Sequence, residues 1–363
     1  MAATFEHFET LGETYDLSQL APPIDGDPAG KNLLSVHQLN ADDLYDYIEH
    51  ARVANELMHS PARGIDLLPR RYVLRSLMKQ PSTRTSGSMA TAMVRIGGTG
   101  YSHSGAEGSA EAKGESEAHS YLAVAMQSDI FGIRTKEETG PYVAAQAIWD
   151  EHSYGHLPER IPVINLGNGT DEHVTQAIGD MFTISTAFGH DRLDEKTIAF
   201  VGDHERYRAH RSNMLAAYVL GMHIIAVESD VVRVPAYLVD MFGNKLSTTR
   251  DMDEAMQAAD ILNMGRNPDE YDGTDKDEHA RSAELAADFG RWHLNRARLE
   301  RFLRPDAIGL HPRPIKNEVS PDVESDPRMW DVRQMDLLIA ARMAIIARAF
   351  GLSIPEAARL VAR

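Results

Sequence analysis

The feature that most constrains this chain is an alternation of short apolar runs with amphipathic stretches of helical period. "YVLRSLM" (72–78) reads as a strand and "TSGSMATAMVRIGG" as a helix stopped by glycine. "DIFGIRT" (129–135) and "IPVINLG" (161–167) read as further strands, and "DEHVTQAIGDMFTISTAFG" (171–189) as a long helix. A second series follows: "TIAFVGD" (197–203), a helix through "SNMLAAYVLG", then strands "HIIAVES" (223–229), "DILNMG" (260–265) and "AIGLHP" (307–312). Strands that alternate with helices pair in parallel through crossovers, so the expected fold class is α/β with two doubly wound parallel-sheet domains. The helix 171–189 is the natural boundary between the halves. Upstream, "NADDLYDYIEHARVANELM" repeats its apolar residues at helical spacing behind an Asn40 cap. Residues 1–30, with "APPIDGDPAG", read as an irregular arm. "DEYDGTDKDEHARSAELAADFG" reads as a charged loop entering a helix, and Ser353 and Pro355 open the last of two closing helices.

Composition narrows the function. At ~150 residues per domain, 363 residues suit about two domains. There is no cysteine, which removes disulfides, thiol nucleophiles and thiolate metal sites and fits a reducing compartment. The acidic start has no apolar signal-peptide core, and no run approaches the ~18 apolar residues of a membrane span, so a cytoplasmic protein without membrane partners is expected. A formal net charge of −17 argues against nucleic acid. Arginines gathered locally against that background stand out.

Ligands in α/β folds bind beyond the carboxyl ends of strands. The polar clusters of this chain all fall there, which argues for one composite site between the halves. Ser82, Thr83, Arg84 and Thr85 join a strand to a helix. Hydroxyls, N–H groups at a helix start and a forked guanidinium together suit a phosphate dianion. The same four residues also fit an ordinary N-cap beside a solvated arginine. Arg134 ends another strand. His173 and Gln176, in "GNGTDEHVTQ", lie about one turn apart and face alike; a neutral histidine there can donate to a carbonyl oxygen, or simply cap local backbone. Zinc is disfavoured, because no partner ligand sits at the right spacing. His152 and His156 lie in a segment that reads as a solvated loop with no fixed geometry for a metal. "GDHERYRAHRSN" lacks the glycines of a dinucleotide fingerprint, which argues against a nicotinamide dehydrogenase. Its Arg206, Arg208 and Arg211 suit a carboxylate instead. "MGRNP" puts Arg266 at a further strand end, and "HPRPIKNE" puts His311, Pro312 and Arg313 at a third. The prolines stiffen that loop and leave carbonyls able to accept hydrogen bonds.

Taken in order, "PSTRTS…AMVRIGG", "AKGES", "IRT", "PVINLGNGTDEHVTQAIGDMFTI", "VGDHERYRAHRS", "DILNMGRNP" and "HPRPIKNEV" resemble the aspartate/ornithine carbamoyltransferases over roughly residues 31 to 350. The resemblance implies an arm (1–30), a carbamoyl-phosphate domain (31–188), an amino-acid domain (189–330) and terminal helices (331–363) returning to the first domain. It implies a homotrimer with shared sites and no metal or organic cofactor. The implied reaction is attack of an amine on the carbonyl carbon of carbamoyl phosphate, with phosphate leaving. By the same match Ser82, Thr83, Arg84 and Thr85 hold phosphate, and Arg134 bridges phosphate and carbonyl oxygen. His173 donates to that oxygen. Gln176 and the backbone carbonyls around Pro312 and Arg313 hold the carbamoyl NH2. Ser109 and Lys113 match a loop that reaches a neighbouring subunit's site.

Arg208 and Arg266 match positions that bind the two carboxylates of aspartate, and paired guanidiniums suit a dicarboxylate. Pro268, Gln80, Arg313 and Leu337-Leu338 depart from the aspartate branch, and about ten extra residues surround "IWDEHSYGHLPER". L-aspartate is therefore the expected acceptor. A different carboxylated amine, or a homologue that binds without turnover, is the alternative.

Overall fold

The computed structural model describes residues 11–12, 14–68, 71–104, 114–189, 192–266 and 276–361. Its first series comprises α1 (Ala41–His59), β1 (Val73–Met78), α2 (Thr83–Arg95), β2 (Thr99–Ser104), α3 (Glu117–Ala125), β3 (Ile130–Thr135), α4 (Gly140–Ser153), β4 (Val163–Asn168) and α5 (Val174–Ala187). The second comprises β5 (Thr197–Val201), α6 (Arg208–Val219), β6 (His223–Val227), α7 (Ala236–Phe242), β7 (Leu246–Thr249), α8 (Met252–Ala258), β8 (Ile261–Met264), α9 (Lys276–Arg291), α10 (Arg296–Phe302) and β9 (Ile308–Leu310). The long α11 (Asp331–Ala349) and α12 (Ile354–Val361) follow.

The strands form two wholly parallel sheets, ordered β2-β1-β3-β4 and β7-β6-β5-β8-β9. All seven strands expected from apolar runs are present. The central strands β3 and β5 are almost wholly buried, as helix-covered parallel sheets require, and so read as apolar runs. Two strands carry no such signal: β2, "TGYSHS", and β7, "LSTT", are polar edge strands with largely exposed side chains.

By compactness the chain divides into two units: Thr183–Met335, and Ala2–Phe182 with Asp336–Arg363. The divisions fall within α5 and α11 rather than between elements. Within the larger unit α11 lies on α5: a Cβ on Gly179 would come within 2.4 Å of Leu338 Cδ2, and Leu337 and Leu338 are both buried. Two leucines here serve helix packing.

The part of the expected arm that is described is not loose. Leu20 and Ile24 are buried, each worth roughly 1.5–3 kcal/mol of apolar burial. Leu11, Leu20 and Ala21 join the apolar cluster of Phe131, Tyr142 and Ile148. The proline- and glycine-rich stretch is pinned by its backbone. Asn32 Nδ2 donates to Leu20 O at 2.8 Å, Gln38 Nε2 to Pro22 O at 3.0 Å, and Gly26 N to Asp43 Oδ1 at 2.7 Å. These backbone bonds, rather than periodicity, order the segment. The extra segment near 150 also gains structure: it includes the end of α4, Leu157 is buried, and Arg160 lies 4.9 Å from the Trp149 ring centroid.

Candidate functional site

In the first sheet the chain steps from β1 to β2 on one side and returns to β3 on the other, which leaves a crevice between the β1 and β3 loops. The two ends are tied together: Met78 pairs with Arg134, and Lys79 N and Gln80 N both donate to Arg134 O, at 2.9 and 3.3 Å. The segment after β1 becomes α2 because Ser82, in extended conformation, caps it. Ser82 Oγ accepts from Thr85 N at 3.3 Å and donates to Thr85 Oγ1 at 3.0 Å. Met89, Ala92 and Met93 bury the opposite face of α2. The first turn therefore presents Thr83 and Arg84 outward, with Arg84 exposed and Thr85 buried. The ordinary N-cap is real, and it leaves Thr83 and Arg84 facing outward from the helix start.

Arg134 turns its Nη1 onto Leu166 O of β4 at 3.2 Å, which brings the third loop into the group. That loop is heavily fixed. Gly169 N donates to Thr135 O at 3.1 Å, and Asn168 Nδ2 donates to Glu138 O at 2.6 Å and to Asp171 Oδ2 at 2.9 Å. Glu172 is buried. It accepts from Ser35 Oγ, and from Val36 N at 2.9 Å, locking the residue before His173 to the chain's first described segments. His173 and Gln176 are themselves 7% and 6% exposed at the start of α5. Gln176 Nε2 donates to Asp180 Oδ1 at 2.8 Å, so its Oε1 is the end that can accept a hydrogen bond from a bound NH2.

The second sheet repeats the arrangement at β5 and β8, where Val201 pairs with Met264 and Gly265 N donates to Val201 O at 2.8 Å. The loops gathered there carry Arg208, which is buried at the start of α6, and Arg266, whose guanidinium lies 5.8 Å from the Tyr207 ring centroid. Gly265 is required: a Cβ there would sit 2.6 Å from His210 Cε1. Arg206 and Arg211 are engaged elsewhere. Arg206 Nε donates to buried Asp203 Oδ2 at 2.7 Å, and Arg211 Nη2 donates to Glu205 O at 2.7 Å.

The loop after β9 is built on a buried pair. His311 Nε2 lies 2.8 Å from Glu318 Oε1, and Arg313 N donates to His311 Nδ1 at 2.8 Å. That assigns the proton to Nε2. Glu318 also accepts from Lys316 N at 3.1 Å and Asn317 N at 3.0 Å, so one carboxylate organises the whole turn. Burial opposes its charge, but these donors win and hold its carboxyl below the usual range. Arg313 has φ 53° and precedes a cis proline. Its side chain bends back to Asp331, with Nε to Oδ2 at 2.7 Å, and to Glu324 at 3.0 Å. Only the backbone of Arg313 is left to face a ligand.

The structure thus gathers Ser82, Thr83, Arg84, Thr85, Arg134, His173 and Gln176 in one unit, and Arg208, Arg266, Pro312 and Arg313 around the strand ends of the other. Ser109, Lys113 and Pro268 lie outside the described residues. Glu172, Asp180, Arg342 and Glu318 were not singled out by sequence reading: Glu172 and Arg342 act on partners far along the chain, while Asp180 acts on Gln176 of its own helix and Glu318 on its own turn, with no motif to mark either. Among the described residues no three histidine, aspartate or glutamate side chains are grouped to hold a metal, and no single helix is long and apolar enough to cross a membrane. His152 Nδ1 lies 3.1 Å from Leu157 O and His156 Nδ1 2.7 Å from Glu151 Oε2, each within its own turn.

Comparison with known proteins covers most of the chain. The aspartate carbamoyltransferase catalytic subunit of Thermoplasma volcanium is 28% identical over 323 residues, covering 88% of this chain and 98% of the relative. That of Lachnoclostridium phytofermentans is 29% identical over 322 residues, covering 87% and 96%. The crystal structure of Trypanosoma cruzi aspartate transcarbamoylase with carbamoyl phosphate and aspartate superposes with a TM-score of 0.78 at 27% identity, covering 90% of this chain and 98% of that one. Two family models divide the chain much as its sheets do. The aspartate/ornithine carbamoyltransferase carbamoyl-P binding domain matches residues 31–186 and the Asp/Orn binding domain residues 194–349. With the two models together spanning most of its length, this chain belongs to the aspartate/ornithine carbamoyltransferase family.

Proposed function

We propose that this chain transfers the carbamoyl group of carbamoyl phosphate to the amine of L-aspartate, giving N-carbamoyl-aspartate and phosphate. The observation that carries the reading is the β1/β3 switch point, where a capped helix start, Arg84 and Arg134 converge beside a loop fixed to present His173 and Gln176. Ser82, Thr83, Arg84 and Thr85 bind the phosphoryl oxygens. Arg134 and His173 donate to the carbonyl oxygen as it gains charge in the tetrahedral transition state, where fixed donors act most strongly. Gln176 Oε1 accepts from the NH2 and so orients the carbonyl carbon. Arg208 and Arg266 take the acceptor's carboxylates. The neutral amine forms the new C–N bond as the C–O bond to phosphate breaks, and departing phosphate accepts the amine proton. Positioning and charge supply the rate, with no covalent intermediate.

The acceptor follows from the arginine pair and from the relatives' names. Arg313, one of the positions that depart from the aspartate branch, has its side chain tied to Asp331 and Glu324, which favours aspartate over a longer anionic amine. The test is a ureido-product assay with carbamoyl phosphate and a panel of aspartate, glutamate, ornithine, putrescine, 2,3-diaminopropionate, β-alanine and oxamate. Turnover of aspartate alone supports the reading. Silence with aspartate and turnover of another amine would replace it.

Ser109 and Lys113 would complete the site of a neighbouring subunit in a cytoplasmic homotrimer. Mixing Lys113→Ala and His173→Ala proteins under subunit exchange should then restore part of the activity. Proven exchange without recovery would reject the shared site.

A further inference from the structure

Arg342 lies on α11 and is only 2% exposed. Its Nη1 donates to Ser88 Oγ on α2, which is 254 residues away in sequence. Ser88 Oγ in turn donates to the carbonyl oxygens of Arg84 and, at 3.2 Å, Thr85. A hydroxyl that accepts from a cation is a stronger donor, so this relay tightens the turn that carries the anion seat. Burial draws the Arg342 guanidinium down to about 10; Asp180's carboxylate opposes this and Arg84's charge adds to it. It remains protonated at neutral pH, and it interacts with both groups. Asp180 is the acceptor that orients Gln176. One buried cation on the last long helix is therefore tied through Ser88 to the helix start that carries Ser82–Thr85.

We propose that Arg342 is a positioning residue for carbamoyl phosphate, holding the first turn of α2 through Ser88 and adding a fixed positive charge behind the seat. This rests on the reading of that seat given above. The alternative is a buried ion group that only joins helices, and such groups are weak contributors to stability.

Inorganic phosphate binding, measured by titration calorimetry on the intact chain, is the first readout, because it needs no acceptor. Arg342→Met should raise the phosphate Kd and the KM for carbamoyl phosphate by ~10-fold or more, the scale of a lost hydrogen bond to a charged group. The KM for aspartate should move far less. Arg342→Lys should recover part of the loss by restoring the charge. Ser88→Ala, which leaves the cation in place, should raise the phosphate Kd by ~3-fold or more and add little in the double variant. It also keeps the idea testable if Arg342→Met does not fold. Wild-type phosphate affinity in Arg342→Met, or in Ser88→Ala when the methionine variant is unfolded, would overturn the proposal and leave Arg342 structural. A wild-type chain that binds neither phosphate nor carbamoyl phosphate would instead remove the underlying assignment of the seat, and the proposal with it.

Discussion

The two switch points use one topology and opposite chemistry. At the first, many short groups converge: hydroxyls, backbone N–H at a capped helix, and amides held by carboxylates that are themselves buried. Nearly every loop bond is internal to the unit, as with Glu172 on Ser35 and Val36 or Asn168 on Glu138 and Asp171. At the second, long side chains lie on rings, Arg266 on Tyr207 and Arg211 on Tyr237, and the fixed part is a backbone turn held by His311 and Glu318. Under the proposed function a small dianion would be met at the first by short hydroxyl and N–H donors with little entropy to lose, beside Arg84 and Arg134. An amino acid is met by guanidiniums on flexible stems. The first seat is thus specified by its fold, and the second by which side chains its loops happen to carry.

The contrast is broken most severely by Arg84→Ala. It should lower kcat/KM for carbamoyl phosphate by ~10³-fold or more, since a charge-assisted contact to a developing anion is lost. Arg84 is exposed, so the melting temperature should stay within a few degrees. Steady-state kinetics and a thermal melt on the same sample decide it; wild-type turnover would sink the phosphate assignment. Arg266→Ala should act on the other half alone. Its expected signature is a rise of ~10²-fold in the KM for aspartate with phosphate affinity unchanged. A parallel loss of phosphate binding would show that the two seats are not separable.

Arg313→Leu separates pocket from scaffold. Asp331 is buried and bound by the Arg313 side chain. Removing the cation strands that carboxylate, at a cost of ~3 kcal/mol. Acceptor preference should hardly change, because only the Arg313 backbone faces a ligand. A stable variant with a new amine preference, seen by denaturant melts beside the amine panel, would reverse that account.

These positions also show what a sequence can disclose. The junction at Ser82 to Thr85 was legible because the strand before it, the cap and the helix after it all have local signals. The central strands were legible because near-complete burial leaves apolar runs. β2 and β7 were not, since an edge strand half in water needs no such run. Glu172 and Arg342 were invisible for another reason: their partners lie 137 and 254 residues away, and nothing near either residue announces the contact. Arg313 was legible as an oddity but not as a lock, because its meaning depends on Asp331 and Glu324, 18 and 11 residues further on.

The smallest effect tests whether the units also differ in how they meet acid. His204 and His210 are fully buried in the acceptor unit, and burial holds both imidazoles below their usual value, His210 well below it. His204 and His311 add to the effect on His210. An unfolded histidine takes its proton near pH ~6.5. Above that pH neither state is protonated and nothing is lost. Below it the unfolded chain gains protons that the folded unit refuses, so stability falls with pH by up to ~1.4 kcal/mol per unit for each histidine. In the other unit His50 is also held low by burial, but Asp46 opposes this through its backbone carbonyl and its carboxylate. Acid should therefore weaken the acceptor unit first. A Trp149→Phe chain keeps Trp292 and Trp330, both in that unit, as reporters. Urea melts at pH 7.5, 6.5 and 5.5 should show their transition moving to lower urea across the last step, and His210→Val should flatten that movement. An unchanged slope in the valine variant would mean that His210 is not the group that acid finds.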